Sequence, residues 1–155
     1  MLLLNKSPYE ITFMKNMKKK ILIVDDEGMI RELVQCILEK AGYECRTSQN
    51  GKEALDIIAG GFDPDLVITD VIMPILDGVG LAHQLRNKNM DVPILFVSGD
   101  LGSHNLGDLQ EFSSHLLPKP FVPVTLTHMV GYVLSVQPQQ VKPAETHDKV
   151  QTVPV

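Results

Sequence analysis

The 155-residue sequence has no tryptophan, and aromatic residues make up only 5% of it. Base stacking on aromatic platforms and an aromatic ligand cage are therefore not its themes. Cysteine is scarce: Cys36 and Cys45 stand at a spacing that matches no metal or redox motif. They make a poor disulfide framework, and both read as small packing residues in a reducing cytoplasm. No apolar run approaches the ~18–20 residues a membrane-crossing helix needs, so no membrane insertion is expected. Met1 to Leu4 is apolar, but the order of a secretory signal, a basic region and then an apolar stretch, is missing. A positive balance is missing too, since the formal charge is −5 and the pI about 5.4. Such a chain has no general attraction for phosphate backbones, and no nucleic-acid partner is expected. The short basic run of Lys15 and Lys18 to Lys20 reads as a solvated chain end.

What is present is an alternation. Ile21 to Val24 is a short β-branched run, as suits a strand buried on both faces. A helical stripe follows at Ile30, Leu33, Val34, Ile37, Leu38 and Ala41, with Gly42 where a helix-ending glycine belongs. Tyr43 to Ser48 reads as a strand, and Gly51 to Ala59 as a helix with Leu55 and Ile58 inward. Leu66 to Thr69 is the third strand; Asp77-Gly78 marks a turn before a helix over Val79 to Asn87. Ile94 to Val97 is the fourth strand. Leu101 to Phe112 is a helix interrupted by Gly102 and Gly107. His115 to Leu117 is the fifth strand, and Val122 to Val136 the last helix, with Pro123 in its first turn. Its stripe is Leu126, Met129, Val130, Val133 and Leu134. Residues 18–136 thus read as one domain, 1–17 as a flexible extension and 137–155 as a disordered tail rich in proline and glutamine. Met17 could itself be the natural start. Strands alternating with helices imply right-handed crossovers and a doubly wound, mostly parallel sheet covered on both sides.

In such sheets ligands bind beyond the carboxyl ends of the strands. The chemically distinctive residues stand there. Asp25 and Asp26 follow the first strand, Asp70 the third, Ser98 the fourth and Lys119 the fifth. Three carboxylates brought together repel one another, and a hard divalent cation resolves that cost. Mg²⁺ suits the set, because it takes oxygen ligands and keeps room for phosphate oxygens; Mn²⁺ is the plausible substitute. A phosphoryl group would bring charge that Lys119 neutralises and oxygens that the Ser98 hydroxyl can bond. Gly99 would leave room for it to enter. A carboxylate such as Asp70 can be the nucleophile of phosphoryl transfer, giving an aspartyl phosphate.

The segments ILIVDDE, ITDVIMPILDG, ILFVSGD and LLPKPF resemble the successive signatures of response-regulator receiver domains. The resemblance covers roughly Lys18 to Val136. It implies an α/β, flavodoxin-like fold with a five-stranded sheet of order 2-1-3-4-5 and helices on both faces. It also implies that Asp70 is the phosphoacceptor, that Asp26 and Asp25 hold the metal, and that the main-chain carbonyl of Ile72 completes the protein's ligands. Ser98 would be the switch hydroxyl, Lys119 the lysine that pairs with the phosphoryl group, and Pro120 the proline whose preceding bond is commonly cis. One position departs. Where many receivers carry a tyrosine or phenylalanine that swings inward, this chain has Leu116.

The expected role is that of a signalling phosphoacceptor rather than an enzyme. A sensor histidine kinase or His-phosphotransfer protein would supply the phosphoryl group. The face around the fourth helix, fifth strand and fifth helix of the domain would then bind a downstream partner or a second copy, or the phosphoryl group would be relayed to another protein. No output domain is expected in the 19 residues after Val136. Two other readings compete: a degenerate receiver acting as a constitutive binding module, and an aspartyl-phosphate phosphohydrolase. The second usually needs an acid two residues after the nucleophile, where this chain has Ile72. The histidines His83, His104, His115, His128 and His147 share no ligand spacing and read as surface or partly packed residues.

Overall fold

Short runs of β-branched and aliphatic residues form the strands, because they fit a pleated surface buried on both sides. The computed structural model describes residues 7–100, 106–112 and 115–136. In it these runs become β1 (Lys20–Val24), β2 (Glu44–Ser48), β3 (Leu66–Asp70), β4 (Ile94–Ser98) and β5 (His115–Pro118). The helices are α1 (Pro8–Asn16), α2 (Gly28–Lys40), α3 (Gly51–Ala59), α4 (Gly78–Asn87), α5 (Leu106–Gln110) and α6 (Pro123–Ser135). All strand pairs are parallel, in the order β2-β1-β3-β4-β5. The chain therefore has the expected flavodoxin-like fold.

Alternate strand residues face opposite sides. Ile21, Ile23, Leu66, Ile68, Leu95, Val97 and Leu117 pack with Val34 and Leu38 of α2 and Leu126, Val130 and Val133 of α6. Leu22, Val24, Val67, Ile94 and Phe96 pack on the other face with Ala54 of α3, Leu81, Ala82 and Leu85 of α4 and Leu109 of α5. Burial of this kind is worth about 1.5–3 kcal/mol per large side chain, which is what holds helices this short.

Gly42 follows α2 at φ +98°, a conformation that a Cβ would strain. There Gly42 N–H donates to Glu39 and Tyr43 N–H to Leu38, so the orphan carbonyls of α2 are satisfied. Asn89 ends α4 the same way at φ +57°.

Four expectations are corrected. Leu33 does not belong to the buried stripe of α2: it is 48% exposed, and Ile30 and Ile37 share the packing with Val34 and Leu38 instead. Cys36 is exposed and so is no packing residue, whereas Cys45 is half-buried against the core. Burial, helped by Glu39 and Glu44, pushes the Cys45 thiol up to about 12, so it stays protonated and unreactive. The helix expected over 101–112 ends two residues early, since α5 stops at Gln110; residues 101–105 lie outside those described. Finally, Pro8–Asn16 is helical where a flexible extension was expected. Ser7 accepts from Glu10 N–H at 3.2 Å and Glu10 accepts from Ser7 N–H at 2.7 Å, a reciprocal cap with Pro8 in the first turn. The expected tail, 137–155, lies outside the described residues.

Candidate functional site

Strand register brings the distinctive residues together. Val24 is opposite Thr69, so Asp25 and Asp70, one residue further along, stand side by side. Asp70 in turn is opposite Val97, and Ser98 is opposite Pro118, which places Lys119 just beyond. The carboxylates of Asp25, Asp26 and Asp70 have oxygens within 4.8 Å of one another.

Lys119 ties this cluster. Its Nζ lies 2.9 Å from Asp70 Oδ2, 3.0 Å from Asp25 Oδ2 and 3.3 Å from Glu27 Oε1. Burial alone would lower the Lys119 pKa. The hydrogen bonds and charges of Asp70 and Asp25 outweigh that together and push it above its ordinary value. The ammonium is therefore fixed in its charged form. Asp25 behaves oppositely. Burial raises its carboxyl above the ordinary value of 3.8, against the lowering by the Glu27 N–H bond and by Lys119, while Asp70 adds repulsion. Asp25 Oδ1 accepts from Glu27 N–H at 2.8 Å, and its carbonyl accepts from the Arg31 guanidinium at 2.6 Å. Asp26 is exposed.

The loop after β3 shapes the other side. Ile72 N–H donates to Asp70 Oδ1 at 3.3 Å, and the Ile72 side chain is 52% exposed. Ile75 holds φ +72°, a strained conformation for a β-branched residue, at a cost of about 1–2 kcal/mol. Asp77 caps α4 by accepting from Gly80 N–H at 2.7 Å. Gly78 N–H donates to Val71, and a Cβ there would lie 2.1 Å from the Asp70 carbonyl oxygen. Gly78 is thus a requirement of the site that sequence reading took only for a turn. Glu27 was missed as well; its signal is a third acid directly after the Asp25-Asp26 pair.

Ser98 stands apart. It is buried, and among the described residues its hydroxyl bonds within its own turn, donating to Asp100 O at 3.4 Å and accepting from Asp100 N–H at 3.3 Å. The Ser98 carbonyl accepts from Lys119 N–H at 2.8 Å, which joins the two strand ends. A Cβ on Gly99 would meet Lys119 Cβ at 3.8 Å, an ordinary contact, so the expected need for space at Gly99 is not evident in this arrangement. The Lys119–Pro120 bond is cis. Leu116 is partly buried against the α3–α4–α5 side of the core.

The donor set suits a hard divalent cation. Asp25, Asp26 and Asp70 bring three carboxylates together and Lys119 bridges two of them, Asp25 and Asp70, which leaves an excess of negative charge that such an ion neutralises. Mg²⁺ fits these residues.

Comparison with known proteins gives the family and the fold. The family model for the response regulator receiver domain matches residues 21–131. A probable transcriptional regulator, ycf27 of Porphyra purpurea, is 42% identical over 123 residues, covering 78% of this chain and 49% of its own length. The response regulator MprA of Mycolicibacterium vanbaalenii is 42% identical over 106 residues, covering 68% and 46%. The chain thus spans about half the length of these relatives. Among solved structures, the chemotaxis response regulator CheY4 of Vibrio cholerae superposes with a TM-score of 0.69 at 32% identity, covering 76% of this chain and 99% of that one.

Proposed function

The chain belongs to the response-regulator receiver family, and from that premise we propose that it is a phosphorylation switch with Asp70 as the phosphoacceptor. The observation that carries the reading is Lys119 Nζ bonded at once to Asp70 and Asp25 beside a three-carboxylate cluster. The donor is a phosphohistidine on a histidine kinase or a phosphotransfer protein. An Asp70 oxygen attacks the phosphorus; the N–P bond breaks as the O–P bond forms, and the imidazole leaves and takes up a proton. Asp25, Asp26, Asp70 and the carbonyl of Ile72 would hold Mg²⁺, which would offset the charge on the phosphoryl oxygens. Lys119 is already charged and 14% exposed at its side chain, so it serves the same oxygens without reorganising solvent. To do so it exchanges its bond with Asp70 for one with the phosphoryl group.

Ser98 must leave its turn with Asp100 to reach the new group. That release loosens the start of the β4–α5 loop and shifts the population of the α5–β5–α6 face, changing its affinity for a partner. Leu116 has no phenol to report this change, so repacking of an aliphatic side chain takes that part. Water attack at phosphorus then breaks the O–P bond, releases inorganic phosphate and restores the carboxylate.

The test is intact mass after incubation with acetyl phosphate, with and without Mg²⁺. Gain of one phosphoryl group that needs both Mg²⁺ and Asp70 is the expected result. Undiminished labelling of Asp70→Asn would sink the reading.

A further inference from the structure

We propose that Glu27 is a positioning residue that acts through Lys119: its carboxylate competes with the phosphoryl group for the ammonium and so weakens the hold of the site on that group. The inference rests on the phosphoacceptor reading of Asp70 and adds a control on the same site.

Glu27 stands at the N-cap of α2, where a side-chain oxygen ordinarily accepts from an N–H of the first turn. Its side chain makes no such bond. Asn50 and Asp77 have the ordinary arrangement at α3 and α4, accepting from Glu53 N–H and Gly80 N–H. The Glu27 carboxylate crosses instead to Lys119, 92 positions along the chain, with Oε1 3.3 Å from Nζ. The Glu27 backbone is held independently of that contact. Its N–H donates to Asp25 Oδ1 at 2.8 Å, and its carbonyl accepts from Arg31 N–H at 3.0 Å. The side chain therefore serves the lysine and not the helix.

An ammonium has three N–H donors. Among the described residues three carboxylates meet Lys119 Nζ, Asp70 at 2.9 Å, Asp25 at 3.0 Å and Glu27 at 3.3 Å, one for each donor. A phosphoryl oxygen can bond Lys119 only by displacing one of them. Asp25 and Asp70 belong to the carboxylate cluster that suits a divalent cation, and Glu27 stands outside it. With Asp25 turned to the cation and Asp70 carrying the new O–P bond, Glu27 is the acceptor that still draws on the ammonium. Its bond is the longest of the three and its side chain is 63% exposed, so water screens the pair. The competition is weak enough to yield to a phosphoryl group and strong enough to lower its occupancy.

The experiment is titration calorimetry of the full 155-residue chain with beryllium trifluoride in saturating Mg²⁺, the fluoride taking the place of a phosphoryl group on a carboxylate oxygen. Glu27→Gln should bind it about threefold more tightly than the wild type. Glu27→Asp keeps the charge but is one methylene too short to hold Nζ, and it should bind as tightly as Glu27→Gln. In metal-free protein the side-chain nitrogen resonance of Lys119 should move in both variants, which a role confined to α2 would not produce. Metal-free urea midpoints of both should match the wild type. Wild-type or weaker binding by Glu27→Gln overturns the proposal, as does wild-type binding by Glu27→Asp, since charge alone would then suffice. An unmoved Lys119 resonance, or a lowered urea midpoint with unchanged binding, also overturns it and leaves Glu27 a structural residue. If the wild type neither binds beryllium trifluoride nor takes label from acetyl phosphate, the phosphoacceptor reading itself falls, and this inference with it.

Discussion

The two halves of the strand-exit site are built differently. At the ends of β1, β3 and β5, Lys119 holds three carboxylates at 2.9–3.3 Å; against its burial, the bonds and charges of Asp70 and Asp25 keep the ammonium charged, while burial raises the Asp25 carboxyl. At the end of β4, the side-chain bonds of Ser98 among the described residues are long, 3.3 and 3.4 Å, and stay in its own turn, on the side that leads toward α5. The first half is preorganised for chemistry. The second is free to change partners, which is what a switch needs from the part that reads the chemistry out. Tight geometry and readiness to move are thus divided between neighbouring strands.

The strongest way to break this contrast is Lys119→Met. It leaves buried carboxylates without their cation and should cost about 3 kcal/mol of stability in urea titrations without Mg²⁺. Added Mg²⁺ should return part of that loss, and labelling by acetyl phosphate should slow about 100-fold. Gly78→Ala comes next. Its Cβ would meet the Asp70 carbonyl at 2.1 Å, so the β3–α4 loop must shift, at about 2 kcal/mol and with slower labelling.

Asp25→Asn should act in the opposite direction on stability. The folded state binds the Asp25 proton more tightly than the unfolded chain does, because burial raises its pKa above 3.8. Its contribution to stability is complete below 3.8 and is lost as pH rises through the raised value. The amide removes that penalty, so stability at neutral pH should rise by about 1 kcal/mol in metal-free buffer, flattening the acid limb of the pH profile. The gain should disappear with Mg²⁺, since a ligand is gone. Smallest is Ser98→Ala, expected to cost about 1 kcal/mol or less and to leave labelling within about tenfold of wild type. A loss as large as that of Lys119→Met would erase the distinction between the halves.

Several features were readable in the sequence because they are local. Runs such as Ile21 to Val24 and Ile94 to Val97 became strands within a residue of the expected limits. Gly42 closed α2 as its lack of a Cβ allows. The helix α1 was also readable: Ser7-Pro8-Tyr9-Glu10 carries a capping signature, overlooked because no long apolar period followed it. Leu33 was misread because helical periodicity defines a stripe and its width, while the neighbour that covers it decides where the edge falls.

By itself the sequence determined the order of strands and helices and which polar residues leave each strand, since backbone propensity and apolar period act over a few residues. Only the tertiary structure decided that Lys119 bonds Asp25 across 94 positions and Asp70 across 49, that Glu27 joins them, that Gly78 must lack a side chain, and that the Ser98 hydroxyl bonds Asp100. Those choices depend on parallel register and on distances of a few ångströms between segments remote in the chain, and no local pattern encodes them.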